Sequence, residues 1–543
     1  MSTVAELVGK TLAELGVGVA FGVVGSGNFA VTNALRANGV RFVATRHEGG
    51  AASMADAYGR LADVPAIVSV HQGCGLTNAM TGIAEAAKSR TPMIVLAADT
   101  AGAAVLSNFR VDQDGLARSV GAVSERVHSA ATAVDDVLRA YRTAVHGRRT
   151  VVLNLPLDVQ AQAVDERNPA TAPQAPEPVR PAVAAVAELC RLIENADRPV
   201  FVAGRGARHA GPAIADLAAH VGALVATSAV ANGLFRADDF DLGISGGFSS
   251  PLTAELIADA DLIVGWGCAL NMWTMRQGSL IGSDTAVVQI DDDLAALGKH
   301  RSVTLGVHGD CGATALDVRD AVVSPRSGYR TPEVATRLGA DRWWNDVATT
   351  DLSTDDHIDP RVFSTLLDDA LPADRVVAVD SGNFLGYPSA YLRVPDENGF
   401  VFTQAFQSIG LGLASGIGAM LAQPDRLAVV GVGDGGFLMS ISELETAVRL
   451  GNPLVIAVYN DAAYGAEVHH FGADADLGAV TFGDTDIAAI ARGYGATGIT
   501  VRNRKDMAAV ADWASAPDGI LVIDAKIASD GGSWWLAEAF KGH

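Results

Sequence analysis

Residues 427–436 read LAVVGVGDGG and residues 454–461 read LVIAVYND. Each is an unbroken apolar run that stops at glycine or at an acid. Such runs, rich in β-branched residues, read as strands buried on both faces of a parallel sheet. Between them, residues 441–450 have helical spacing, so the segment reads as one strand–helix–strand unit. Gly433, Asp434, Gly435 and Gly436 follow the first strand directly. Asn460 and Asp461 follow the second, with 24 residues (436–459) between the two motifs. Open α/β sheets bind ligands at these C-terminal strand ends.

The residue types suggest which ligand. Glycines let backbone N–H groups come close to a diphosphate, and a helix N-terminus favours an anion. Mg²⁺ takes octahedral oxygen ligands, usually few carboxylates together with phosphate oxygens. Asp434 and Asp461 can supply two such oxygens, and the carbonyl of Ala463 a third.

Outward from this unit the strand–helix alternation continues in both directions, in three blocks. Residues 1–164 carry a helix over 3–15 and apolar runs at 17–24, 41–44, 66–70, 93–97 and 150–155. Residues 166–181, ERNPATAPQAPEPVRP, hold five prolines in a polar stretch and read as a semi-extended linker. A second block, 182–323, opens with a helix, then PVFVAGRGARHAG, with later runs at 224–227, 262–265 and 286–290. A further irregular stretch, 324 to about 359, leads into the third block, 358–535, with runs at 375–379, 427–432, 454–459 and 520–523. The expected class is α/β, with three doubly wound parallel-sheet domains. The first and third blocks look like two versions of one design.

Composition sets the outer limits. The chain has 543 residues, 62 Asp+Glu against 40 Lys+Arg, and a formal net charge of −22. With no basic run to displace counterions, nucleic acid is not an expected partner. Four cysteines, at 74, 190, 268 and 311, have no short paired spacing, so neither a zinc site nor a disulfide framework is expected. The N-terminal residues lack a signal-peptide pattern, and no apolar run is long enough to span a membrane. A cytoplasmic protein is the expectation.

The GDG and Asn-Asp spacing resembles the thiamine diphosphate-binding signature, in which a second Asn stands where this chain has Asp461. The substitution keeps an oxygen ligand and adds a negative charge. Further segments extend the resemblance over nearly the whole chain. Residues 41–61, RFVATRHEGGAASMADAYGRL, resemble the RHE-x-G-A motif of the acetolactate synthase group. This implies that Glu48 hydrogen-bonds the aminopyrimidine ring of the cofactor and activates it. VSVHQGCGLTNAM (68–80) resembles a second cofactor loop, with Gly73 and Asn78 retained and Cys74 where proline is usual. VDSGNFLG (379–386) resembles a diphosphate-contacting turn, through Gly382, Asn383 and Phe384. In FQSIGLGLASGIGA (406–419), Ser408 and Ile409 fall on the stretch that bends the cofactor, with Ile409 as its apolar support. Tyr464 and Gly465 complete the implied cofactor contacts. The resemblance names the blocks pyrimidine-binding, central Rossmann-like and diphosphate-binding. It implies a homodimer at minimum, with a homotetramer expected.

On the substrate side the resemblance divides. FGVVGSGN (21–28) and the 68–80 segment resemble benzoylformate decarboxylase, placing Gly25 at the cofactor and Ser26 and His71 at the substrate. After Asp461, His470 stands where acetolactate synthases have a selective tryptophan. His469 and His470 with Glu467 do not read as a metal site, because adjacent histidines diverge. GRGAR (204–208) could accept a nucleotide, but GCALNMWTMRQG (267–278) lacks the Asp-Asp-Arg pattern near the family's flavin, so the balance is against FAD. The implied activity is a thiamine diphosphate- and Mg²⁺-dependent 2-oxo-acid decarboxylase or carboligase, acetolactate synthase-like, working through a carbanion/enamine. The alternative is a lyase that cleaves 2-hydroxy ketones or cyclic diketones without decarboxylation.

Overall fold

Three six-stranded sheets, every strand pairing parallel, organise the chain. The computed structural model describes all residues except 1, 63, 166–168, 473, 532 and 537–543. Met1 of the first block and the start of the proline-rich stretch therefore lie outside the described residues. The rest of that stretch, to residue 182, holds neither helix nor strand.

The apolar runs are the central strands. The N-terminal sheet runs Arg41–Ala44, Val19–Gly22, Ala66–Val70, Met93–Asp99, Thr150–Pro156, Val123–Arg126 from edge to edge. The C-terminal sheet runs Phe400–Phe402, Arg375–Val379, Leu427–Gly433, Leu454–Asn460, Ile520–Lys526, Thr497–Val501. Numbered in chain order within each sheet, both read 2-1-3-4-6-5. The two blocks thus share one topology. The middle sheet runs Asp241–Ile244, Leu224–Thr227, Pro199–Ala203, Leu262–Trp266, Ala286–Asp291, Leu305–His308, which is 3-2-1-4-5-6, the Rossmann order.

In each outer sheet the order reverses between its first and third strands, where crossovers leave on opposite faces and open a crevice at the strands' C-terminal ends. In the N-terminal sheet the crevice lies between Val19–Gly22 and Ala66–Val70. In the C-terminal sheet it lies between Arg375–Val379 and Leu427–Gly433.

Small residues let the outer domains pack closely. The helix Gly412–Ala422 crosses the helix Glu48–Leu61 where a Cβ on Gly418 would lie 2.2 Å from the Met54 carbonyl oxygen. A Cβ on Gly82 would meet that of Ala52 at 2.6 Å, so the helix Cys74–Lys88 joins the same layer. A buried polar network seals this junction. Arg60 donates to Asp56 (2.6 Å), to Glu85 (2.7 Å) and to the carbonyl of Phe402 (2.7 Å). Glu85, 1% exposed, accepts the backbone N–H groups of Ala405 (3.1 Å) and Phe406 (2.6 Å).

One expectation fails. The stretch from Ser324 to Asp359 is not irregular throughout, because Pro332–Asp341 is a helix capped by Thr331 and started by proline. Val334 and Leu338 bury one face of it against the central domain. Its polar opposite face had hidden the spacing. Among the described residues, no helix is long and apolar enough to cross a membrane.

Candidate active site

In the C-terminal crevice, Asp434 follows its strand as the first residue of the helix Asp434–Ser440, and Asp461 follows Leu454–Asn460. Burial pushes both carboxyls up, Asp434 to about 7 and Asp461 to about 6, and at Asp434 the charge of Asp461 adds to the effect. Asp461 accepts the N–H of Ala463 (3.2 Å), and Ala462 between them takes a left-handed φ of 54°. The turn folds Ala463 back against Thr481 and leads through Tyr464 to Gly465. Asn460 is structural: its amide donates to Asp524 (2.8 Å) and its oxygen accepts from Ala462.

Glycine clears the floor of this crevice. A Cβ on Gly436 would sit 2.4 Å from Asp380 Oδ2, one on Gly435 2.6 Å from the Tyr464 ring, and one on Gly433 3.2 Å from the Phe384 ring. Phe384 stacks on Tyr459 within the core, and the edge of its ring lies beneath Gly382 and Gly433.

Asp380 escaped the sequence reading. It is fully buried and accepts N–H groups from Ser381 (2.9 Å), Gly410 (2.8 Å) and Leu411 (3.1 Å), while burial raises it to about 6. One carboxylate thus ties the Gly382–Phe384 turn to the loop carrying Ser408 and Ile409. Its signal was present in the sequence: an acid at a strand end, just before a glycine turn.

In the N-terminal crevice, Glu48 opens its helix, 9% exposed, and accepts from the amide of Asn78 (3.0 Å). His71 Nδ1 lies 2.9 Å from the Gln72 carbonyl, which can only accept, so Nδ1 carries the hydrogen. Nε2 is left as an acceptor 3.4 Å from the Ser26 hydroxyl. A Cβ on Gly25 would strike the His71 ring at 2.5 Å. Gly73 turns with φ 65° beneath the Phe109 carbonyl, and the Phe109 ring meets His71 edge-on. Asn28, wholly buried, accepts from Gly25 N–H (2.8 Å), and Gln113 accepts from Gly73 N–H (2.9 Å). Both were missed, because their partners are distant loops or backbone groups.

The structure therefore gathers Gly25, Ser26, Glu48, His71, Gly73 and Asn78 at one crevice. It gathers Gly382, Asn383, Phe384, Ser408, Ile409, Gly433, Asp434, Gly435, Gly436, Asp461, Ala463, Tyr464 and Gly465 around the other. His470 stands with the second group, exposed in the last turn of the helix Gly465–Phe471, on a different domain from Ser26 and His71. Glu443 bridges the two domains beside the site, accepting the N–H groups of Arg46 (3.1 Å) and His47 (2.8 Å) just before Glu48. Among the described residues no group of three or more His, Cys, Asp or Glu side chains could hold a metal.

Comparison with known proteins accounts for this arrangement. The families described as "Thiamine pyrophosphate enzyme, N-terminal TPP binding domain", "central domain" and "C-terminal TPP binding domain" match residues 2–115, 186–318 and 380–525. An acetolactate synthase of Bacillus subtilis is 29% identical over 531 residues, covering 96% of this chain and 93% of that protein. A Pseudomonas aeruginosa protein named "Probable 2-ketoarginine decarboxylase" is 29% identical, covering 93% and 90%. A sulfoacetaldehyde acetyltransferase of Rhodobacter capsulatus is 27% identical, also covering 93% and 90%. With all three domains present in order, the chain belongs to the thiamine pyrophosphate (thiamine diphosphate) enzymes, in the superfamily that includes acetolactate synthase.

Proposed function

We propose that the chain is a Mg²⁺-assisted, thiamine diphosphate-dependent decarboxylase or carboligase of 2-oxo acids, acetolactate synthase-like. The observation that carries the proposal is the pair of carboxyls, Asp434 buried and Asp461 half-buried, beside a floor cleared by glycine. Burial that pushes two acids toward neutrality is relieved by a divalent cation between them. With two carboxylates and the Ala463 carbonyl as the protein's share, the remaining coordination suits diphosphate and water. The residues fit the cofactor.

When bound, the cofactor supplies a carbon nucleophile and an electron sink at the substrate carbonyl. The chain's own residues do the rest. Gly433, Gly435, Gly436, Gly382 and Asn383 would offer N–H donors to the diphosphate, with Tyr464 and Gly465 beside them. Ile409 would support the cofactor, while Ser408 and Asp380 hold that loop in place. Glu48, oriented by Asn78, would hold the aminopyrimidine and could give or take a proton at its own carboxyl. His71 Nε2 is the proton acceptor nearest the substrate, shared with Ser26, and His470 enters from the other domain.

Glu48 and the acid pair stand on different domains, and each crevice is rimmed by exposed apolar side chains. Phe29 and Leu106 rim one; Met439 and Phe471 rim the other. Such rims mark interfaces. They support a homodimer in which each site takes one crevice from each chain, with a homotetramer as the full assembly. The central domain is read as structural rather than flavin-binding. Arg205 and Arg208 of GRGAR donate to the backbone carbonyls of Ser89 and Arg60, and a Cβ on Gly204 would strike the Gly267 carbonyl at 2.3 Å. All four cysteines are free thiols, in keeping with a cytoplasmic site.

The test is CO₂ release from a panel of aliphatic and aromatic 2-oxo acids, with and without thiamine diphosphate and Mg²⁺. Cofactor-dependent release is expected. If the cofactor binds and no acid loses CO₂, the decarboxylase reading falls, and hydroxy ketones and cyclic diketones become the substrates to try.

A further inference from the structure

Beyond the strand Ile520–Lys526 the chain returns over the C-terminal crevice. The Tyr387 hydroxyl donates to Asp530. Trp535, 3% exposed, closes on Gly386, where a Cβ would lie 2.4 Å from its ring. Two contacts from this segment converge on one residue. The Trp535 indole N–H donates to the Asn383 carbonyl (3.0 Å), and the Ser533 hydroxyl donates to Asn383 Oδ1.

Asn383 is 8% exposed, so each end of its amide needs a partner inside the protein. Its Nδ2 lies 3.3 Å from the point where a Gly465 Cβ would stand, and Asp461 Oδ2 lies 2.2 Å from that same point. The nitrogen thus faces the Asp461 side of the crevice, as it must, because a carbonyl oxygen there would repel both the carboxylate and a diphosphate. With the nitrogen so turned, the oxygen points the opposite way and needs a donor. Ser533 is that donor.

We propose that Ser533 is a positioning residue for cofactor binding, holding the Asn383 amide with its N–H₂ group toward the diphosphate. The proposal rests on the reading that Asn383 contacts the diphosphate. Ser533→Ala leaves a buried acceptor unpaired and the amide free to rotate, so it should weaken thiamine diphosphate binding roughly five- to tenfold. Ser533→Thr keeps the hydroxyl and should bind as the wild type does.

The experiment is calorimetric titration of thiamine diphosphate, with Mg²⁺ present and no substrate, into the full chain and four variants. These are Ser533→Ala, Ser533→Thr, Asn383→Ala and the Ser533→Ala/Asn383→Ala double variant. The expected result is weakening in both alanine single variants, retention in the threonine variant, and a double variant no weaker than Asn383→Ala alone. Wild-type affinity in Ser533→Ala beside a weakened Asn383→Ala would overturn the positioning role. So would a Ser533→Ala penalty that persists undiminished in the Asn383→Ala background. Wild-type affinity in Asn383→Ala would instead remove the cofactor-site reading on which the proposal stands.

Discussion

Asp461 is where this chain departs from the family's signature, and Asp461→Asn restores the usual residue. In the wild type, Asp434 is held at about 7 and Asp461 at about 6. Burial is the main cause at both, and at Asp434 the neighbouring carboxylate comes second. A cation binds the carboxylate form only, so at lower pH it must displace a proton from Asp434. Each pH unit below the higher value therefore weakens apparent Mg²⁺ affinity about tenfold. The asparagine variant has one negative charge fewer, so it should bind Mg²⁺ less tightly at pH 8. It also frees Asp434 from the second cause, and that carboxyl should titrate lower. Between pH 8 and pH 6 the wild type should lose about ten- to twentyfold in affinity and the variant less than about threefold. The assay is calorimetric titration of Mg²⁺ into protein saturated with thiamine diphosphate at pH 8, 7 and 6. The cofactor's own phosphate titration is common to both proteins and cancels. Parallel losses in the two proteins would refute the coupling between Asp434 and Asp461.

Glu48→Gln should retain bound cofactor by calorimetry while turnover falls by roughly 10² to 10⁴, the range for a lost acid–base group; near-normal turnover would remove Glu48 from the mechanism. Glu85→Ala removes one of the two carboxylates paired with buried Arg60 and leaves the Ala405 and Phe406 N–H groups without their acceptor. It should cost about 3–5 kcal/mol in denaturant unfolding, and a loss under about 1 kcal/mol would mean the junction does not depend on it. Asp291, raised to about 6 by burial and then by Asp292, is favoured in its protonated form, so the stability it contributes at acid pH is lost as pH rises through 6. Asp291→Asn should match the wild type in melting temperature at pH 4.5 and exceed it at pH 8 by about 1–2 kcal/mol of stability; equal melting at both pH values would count against the burial argument.

The central strands were legible, and the edge strands were not, for one physical reason. Ala66–Val70, Leu224–Thr227 and Leu427–Gly433 lie between two neighbours and under helices on both faces, so burial demands continuous apolar sequence. Val123–Arg126, Leu305–His308 and Thr497–Val501 each pair on one side only and carry polar or small residues that solvent tolerates. Nothing in their composition separates them from loop. Arg41–Ala44 was found at an edge because its apolar run, Phe42 to Ala44, stands between Arg41 and Thr45.

The same division runs through the site. Asp434, Asp461 and the glycines were proposed from local chemistry: a strand end, a residue type and a spacing within one strand–helix–strand unit. Glu48 was instead proposed from resemblance to the RHE-x-G-A motif. The sequence by itself therefore determined the class and the three-block order, and nominated the residues proposed for the cofactor. Asp380 gathering N–H groups from two turns, Glu85 holding the Ala405–Phe406 backbone, and Ser533 turning the amide of Asn383 were not readable. Apart from the neighbouring Ser381 N–H, those contacts join residues 30 to 321 positions apart. Only the packing of one domain on another, which buries each polar group and obliges it to find a partner, decides who that partner is.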